Sequence, residues 1–593
     1  MKPLLIGYDR YTGRRIYLRS EDLESHGLVA GGTGKGKSQL AIRICHFGLL
    51  NGLCLLYLDP CGDGYRDMVA FTAAHRLSRR VITIDANEAA DKAVFPLNFL
   101  APNGLDAATH AGMIMKALAK VFREQDAETK PRLERRERAT LIALIEAGYT
   151  LAEMLHFLAI ADARFRQHVL SRVTNPYVLQ EWTEFDRMAK RSDKETLIES
   201  VLNRAAKVIM NDPVRRVVGA ATCNLDWEEI RRKRMTVLVN LQPAKVSKEC
   251  QQLIGTMILD HLTNYAMQST KRENRLLVLA DEMDELASPD FSSMFQALRK
   301  RRVFCWSFFQ YLEQLRSRDD TKRLFAAAMS CCDIKIGFHT SYEDGAILAR
   351  ELFPGSFRGD VIKDEIHRTL LLPQERRRRI IGSSVSESEA YSESEGYAEH
   401  EGVSVGMTEI DSAGASEGQT FGGANGTALQ SSELSSMASA AGCSSGSVSG
   451  TSTSHSTTHS RATGRSRSQA IVPFYEYKHT KELASRNYYS AEDQLEERIA
   501  TIQQQARRQA ILKVGDQPPV SILVAFVKSV RVRPQDIQRT LDTLSARDAL
   551  PVEQVDNLIE SRRNLAIADK TSTAEVENSQ PLEELFRPRR GKR

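Results

Sequence analysis

The chain lacks several features that would settle its class at once. None of its nine cysteines falls in a CxxC pair or a zinc-like spacing. Most lie in apolar runs, where a thiol is simply a small buried side chain. A disulfide framework and a structural zinc are therefore not expected, and a reducing compartment is. No run reaches the ~18 apolar residues of a membrane-crossing helix. Residues 1–7 are too short and turn polar too early for a secretory signal. A net charge of +5 over 593 residues is too small for a global field, so any surface for a polyanion must come from local basic clusters. What is present, 42% hydrophobic and 26% charged residues, is ordinary for soluble globular proteins. The length fits roughly two to four domains.

Against that plain background one stretch is specific. Gly31, Gly32, Thr33, Gly34, Lys35, Gly36, Lys37 and Ser38 fit G-x-x-x-x-G-K-[ST], the loop whose backbone N–H groups surround a phosphate chain. Lys37 supplies a charge near the β- and γ-phosphates, and the Ser38 hydroxyl suits Mg²⁺. The context is right. An apolar run, His26-Gly27-Leu28-Val29-Ala30, precedes the loop, and a helix-like run from Gln39 to Ile44 follows it.

Residues 1–25 read as a small β-hairpin. Beyond the loop, the runs 53–58 and 81–84 end in Asp59 and Asp85 and alternate with helical stretches, the rhythm of a parallel sheet. Asp59 and Asp63 stand where a ligand crevice forms, though a turn aspartate and a helix cap explain them equally well. From about Phe95 to Asp226 the spacing becomes helical and strand-like runs are absent. Strands resume with 235–241 and with Leu276-Leu277-Val278-Leu279-Ala280-Asp281-Glu282. That second run suits a Walker B strand, with Asp281 supporting Mg²⁺ and Glu282 polarising water. The strand 303–309 ends in Gln310, an amide placed to sense a γ-phosphate. The basic run Arg299-Lys300-Arg301-Arg302 before it is either an arginine source for a neighbouring subunit or a solvated face.

In this order, the loop, Leu58-Asp59-Pro60-Cys61-Gly62-Asp63, Leu238-Val239-Asn240-Leu241, Leu279-Ala280-Asp281-Glu282 and Phe309-Gln310 resemble the FtsK–HerA superfamily. Within it, the chain most resembles conjugative type IV coupling proteins and their soluble relatives. The resemblance spans roughly residues 1–370, with a weaker echo at 488–530. It implies an α/β fold: a RecA-like P-loop core with a mostly parallel sheet and an inserted all-α domain, here with a Ser/Gly-rich low-complexity insertion toward the C-terminus. It further implies ATP and Mg²⁺ as cofactors, a homo-hexameric ring, and DNA held by its phosphates. Lys37, Glu282, Gln310 and Arg299 carry over as catalytic residues, Arg299 acting in trans with Arg301 and Arg302 in reserve; Ser38 and Asp281 carry over as Mg²⁺ ligands. The sequence departs from the family at Cys61, where relatives often have histidine. It also lacks the transmembrane helices of membrane-bound coupling proteins. A cytoplasmic protein is expected, peripheral at the inner membrane only through a partner, with a relaxase or a membrane-bound secretion component as further partners.

Serine and glycine dominate residues 383–468. Such composition fits disorder, whereas the alternation at 384–410 and 445–460 fits two long polar strands of a hairpin. The expected division is 1–94 (core, first part), 95–226 (all-α insertion), 227–372 (core, second part), 373–470 (serine/glycine segment), 471–550 (small α/β region) and 551–593 (polar basic tail). The leading functional expectation is an ATP-driven DNA translocase of conjugation or a related system. The alternatives are a secretion ATPase that recruits protein substrates and an ATPase subunit of an antiviral defence complex.

Overall fold

The computed structural model describes residues 2–122, 131–161, 163–270, 273–319, 321–354, 360–392, 409–410, 440–441 and 458–568. Strands β1 (Leu4–Asp9) and β2 (Arg15–Leu18) form the expected hairpin. Asp9 closes its turn by accepting the N–H groups of Tyr11 and Thr12 at 3.0 and 2.6 Å. Next come β3 (His26–Ala30), α1 (Lys37–Asn51), β4 (Cys54–Asp59), α2 (Asp63–His75), β5 (Val81–Asp85) and the short β6 (Ala93–Val94). Every residue of β3 and β4 is buried. Continuous apolar runs are what a parallel strand needs when both faces of the sheet are covered.

The next section is helical: α3 (Ala107–Val121), α4 (Pro131–Glu146), α5 (Met154–Leu158), α6 (Arg164–Leu170), α7 (Pro176–Arg187), α8 (Arg191–Ile209), α9 (Asp212–Gly219) and α10 (Trp227–Lys233). Polar caps start several of them: Asp106, Asn175 and Asn211 accept backbone N–H groups, and Pro176 occupies the first turn of α7. Inside this section Arg166 is buried and saturated. It donates to the carbonyls of Phe157 and Ala159 at 2.8 and 2.9 Å and to Asp186 at 3.1 Å. Its guanidinium also lies 5.6 and 5.1 Å from the ring centres of Trp182 and Phe185. Truncating it leaves two carbonyls and a carboxylate without their donor. Arg166→Ala is therefore expected to destabilise the protein by ~3 kcal/mol, read as a lower urea midpoint for the transition that includes Trp182 fluorescence; an unchanged midpoint contradicts this.

The chain then lays down β7 (Thr236–Asn240), α11 (Lys248–Gln268), β8 (Leu276–Asp281), α12 (Met283–Leu286), α13 (Pro289–Lys300), β9 (Val303–Phe309), α14 (Leu312–Ser317), α15 (Lys322–Cys331), β10 (Cys332–Phe338) and α16 (Tyr342–Leu352). A separate compact unit, residues Ile362–Tyr488, follows. It contains β11 (Ile362–Ser392), β12 (Glu409–Ile410), β13 (Ala440–Ala441) and β14 (Thr458–Tyr488). β11 and β14, 31 residues each, pair antiparallel along their whole length. Glu409 pairs with Ala441 in the register of Ser392 with Thr458. Of the alternating flanks, residues 384–392, 409–410 and 458–460 are strand, whereas 393–408 and 445–457 lie outside the described residues. The ladder also runs past the serine-rich limits, taking in 362–372 and 471–488, because strand pairing follows cross-strand partners and not residue type. Arg376–Glu476 and Arg368–Glu482 are such pairs, at 2.6 and 3.0 Å. Most of the glycine-rich middle lies outside the described residues.

The C-terminal elements are α17 (Ala491–Gln503), β15 (Gln509–Val514), β16 (Val520–Val524), α18 (Pro534–Asp548), β17 (Leu550–Pro551) and α19 (Val552–Ala568). Two expectations are corrected here. Residues 471–550 are not a separate small region: β15 pairs with β10, and β16 pairs with β1, inside the main sheet. Nor is all of 551–593 a tail. α19 buries Val555 and fixes itself to α9 through Arg216, which grips Asp556 at 2.8–3.1 Å. Its apolar residues Val552, Val555 and Ile559 recur at helical spacing, a signal diluted by the charges around it. The basic end at 587–593 lies outside the described residues.

Among the described residues the main sheet has eleven strands in the order β2-β1-β16-β15-β10-β3-β9-β8-β4-β7-β5. From β10 to β5 all neighbours are parallel, and from β10 to β2 all are antiparallel. Side chains alternate between two cores. Leu28, Leu56 and Val278 pack with the helical insertion and α11, whereas Val29, Tyr57 and Leu279 pack with α1 and α2. The strand order puts β9 between the loop strand β3 and the Walker B strand β8, so the ends of three strands converge on one crevice. This is a RecA-like P-loop α/β fold.

Candidate functional site

The loop after β3 is shaped by glycines whose conformations exclude side chains. Gly36 has φ 124°, and a Cβ there would sit 3.2 Å from the Cα of Arg508. α1 begins at Lys37 without a side-chain cap, which leaves its first N–H groups for an anion. Lys37 is only 6% exposed. Its ammonium donates to the carbonyls of Gly31 at 2.6 Å and Gly32 at 3.2 Å. Burial lowers its pKa, while Asp281 and Glu282 nearby oppose that shift.

Asp281 ends β8, 7% exposed. One carboxylate oxygen accepts from the Ser38 hydroxyl at 3.5 Å, and the other accepts the Glu282 N–H at 3.2 Å. Burial pushes the Asp281 pKa up, and Lys37 pulls it back. Among the described residues no group of three or more His, Cys, Asp and Glu could hold a metal ion. A cation between Ser38 and Asp281 would take its other ligands from phosphate and water, which is the habit of Mg²⁺. The donor set fits that ion.

Glu282 is a non-glycine residue at φ 51°, a left-handed conformation costing roughly 1–2 kcal/mol. The turn aims its carboxylate at Gln310, whose amide donates to it at 2.6 Å. The amide oxygen of Gln310 in turn accepts from the Thr33 hydroxyl at 3.1 Å. One chain of contacts therefore joins the ends of β3, β9 and β8. Burial, then Glu285 and Asp281, raise the Glu282 pKa above its ordinary 4.5.

The other named residues divide. Asp59 is buried and accepts the N–H groups of Cys61 and Tyr65 at 3.0 and 2.8 Å, closing the turn into α2. Asp63 is exposed and pairs with Arg66 at 2.6 Å. Arg299 does not join Lys37 and Glu282 of its own chain. It pairs with Asp333 at 2.8 Å, beside the starts of β10 and β3, a strand length of roughly 15 Å from the loop. Arg301 donates to the Ser269 carbonyl, and Arg302 turns into β9 at φ 58°. Sequence reasoning missed Arg508, whose N–H donates to the Lys35 carbonyl at 2.7 Å. No local signal marks it, because the contact bridges two distant parts of the chain.

No family model matches the chain. Over 73 residues it is 29% identical to the type 4 coupling protein DotL of Legionella pneumophila, a match covering 12% of this chain and 9% of that protein. The plasmid coupling protein TrwB in complex with ADP and Mg²⁺ is similar at TM-score 0.47 and 11% identity, covering 90% of this chain and 92% of that one. VirB4 of Thermoanaerobacter pseudethanolicus is similar at TM-score 0.40 and 13% identity, covering 59% and 87%. No helix among the described residues is long and apolar enough to cross a membrane. The fold rests on the strand order and loop geometry given above.

Proposed function

We propose that this chain is an ATP-hydrolysing DNA translocase of the coupling-protein kind, working as a homo-hexamer with ATP and Mg²⁺. The observation that carries the hydrolytic part is the contact chain Glu282–Gln310–Thr33 above a buried Lys37. Lys37 exchanges the Gly31 and Gly32 carbonyls for phosphate oxygens, while the first N–H groups of α1 hold the phosphate chain. Ser38 and Asp281 would hold the cation, which would supply neutralisation of charge on the phosphate oxygens. Glu282 accepts the proton of the attacking water, and Gln310 fixes the direction of that carboxylate. Thr33 ties the arrangement to the loop, so that occupancy of the loop is felt at the end of β9. Arg299 of one subunit serves the nucleotide of its neighbour.

The DNA part is supported by the resemblance. DNA held by its phosphates makes the stimulated rate fall steeply with salt and depend little on base sequence. A relaxase or a membrane-bound secretion component is the further partner of this reading, with the protein in the cytoplasm or at the inner membrane through that partner. The test is the ATPase rate of the full chain, with and without single- and double-stranded DNA at 50 and 200 mM salt, with Lys37→Ala as the inactive control. Stimulation that disappears at high salt is expected; a confirmed hexamer that ignores DNA overturns the reading.

The raised pKa of Glu282 sets a pH dependence. A general base must be ionised, and a carboxyl that keeps its proton to higher pH loses function earlier as pH falls. The acid limb of kcat/KM is therefore expected above the ordinary value of 4.5. A limb at or below that value contradicts the role of Glu282.

A further inference from the structure

The phosphate loop has two sides, and the mechanism uses only one of them. On the Thr33 side stand Gln310 and Glu282, where hydrolysis is placed. On the other side, by Lys35 and Gly36, stands Arg508, strained at φ 67°. Its backbone donates to the Lys35 carbonyl at 2.7 Å and accepts from the Val524 N–H at 2.8 Å, tying β16 to the loop. Its guanidinium lies 5.4 Å from the ring centre of Phe526. Phe526 is 59% exposed, although Ala525 and Val527 on either side are buried. The Val527 N–H donates at 3.2 Å to the side chain of Gln39, the residue after Ser38. An aromatic ring is thus held at the surface beside the first turn of α1. A nucleoside must leave the loop away from its γ-phosphate, which is toward this ring.

We infer that Phe526, held by Arg508 against the phosphate loop, is the stacking platform for the base of the bound nucleoside triphosphate. The inference rests on the nucleotide-binding reading and adds the subsite that gives base affinity. Stacking on an aromatic ring is tolerant of base identity, so adenine and guanine bind alike here and selectivity between them is weak. Arg508 is a positioning residue: its strained backbone and its cation–π contact fix where the ring stands.

The test is calorimetric titration of the full chain with Mg²⁺-ATP and with Mg²⁺-tripolyphosphate, which lacks a nucleoside. Phe526→Ala is expected to weaken ATP about ten-fold and to leave tripolyphosphate unchanged, while Phe526→Trp keeps the wild-type affinity for both. Phe526 is largely exposed, so its truncation spares the fold. ATP affinity unchanged in Phe526→Ala overturns the platform, as does an equal loss on both ligands. A wild type that binds neither ligand overturns the nucleotide reading itself, and the platform with it.

Discussion

Glu282→Gln should bind ATP as the wild type does and turn it over 10²–10⁴-fold more slowly, the usual range for a lost general base. The reasoning is geometric. Glutamine keeps the size of the side chain, tolerates the same left-handed backbone about as well as glutamate, and still offers an oxygen to the Gln310 amide 2.6 Å away. What it loses is the capacity to take a proton. The phosphate loop, Lys37 and Ser38 are untouched, so affinity is preserved and the nucleotide-loaded state accumulates. Single-turnover hydrolysis and nucleotide titration of the same preparation separate the two quantities. Turnover within a few-fold of wild type would assign the base elsewhere.

Arg299→Ala is the second large effect, expected to cut turnover by 10³–10⁵-fold if the guanidinium acts as a trans finger. Its partner in the folded chain is Asp333, and both side chains are about half exposed. Such a pair contributes only ~0–1 kcal/mol to stability, so a large loss of rate cannot be blamed on unfolding. The trans assignment makes a sharper claim. Mixing Arg299→Ala subunits with Lys37→Ala subunits should restore activity, because some interfaces then pair an intact loop with an intact arginine. Mixing Glu282→Gln with Lys37→Ala should restore none, since those residues serve the same chain's site. Equal behaviour of the two mixtures would remove Arg299 from the mechanism and turn attention to Arg301 and Arg302.

The parts of the site that could be read from sequence are those where local chemistry and position coincide. Buried parallel strands have to be continuous apolar runs, and the polar residue ending each run has to face the crevice. Gly31 to Ser38, Asp281, Glu282 and Gln310 could therefore be found one stretch at a time. Asp59 could not be assigned, because a turn aspartate and a ligand aspartate look alike until the N–H groups of Cys61 and Tyr65 are seen on it. The hairpin arms were undecided for a related reason. Serine-rich composition predicts too little apolar burial for order, and alternation says nothing about whether a partner strand exists. β15 and β16 were recognisable as local order, but their place beside β10 and β1 is a choice of partner, which no local pattern encodes. Arg508 was beyond reach on the same ground.

That placement of β15 and β16 has a consequence for how the protein is made. Synthesis runs from the N-terminus, so β1 and β10 emerge with open edges long before the strands that cover them. Open edges invite pairing with other chains, and distant pairings are slow to form. Phosphate-loop residues Lys35 and Gly36 lean on Arg508, so the nucleotide crevice also takes its final shape only after that residue has left the ribosome. A nascent chain carrying the complete glycine motif is accordingly still immature, its phosphate loop unsupported and two sheet edges open until the last strands arrive.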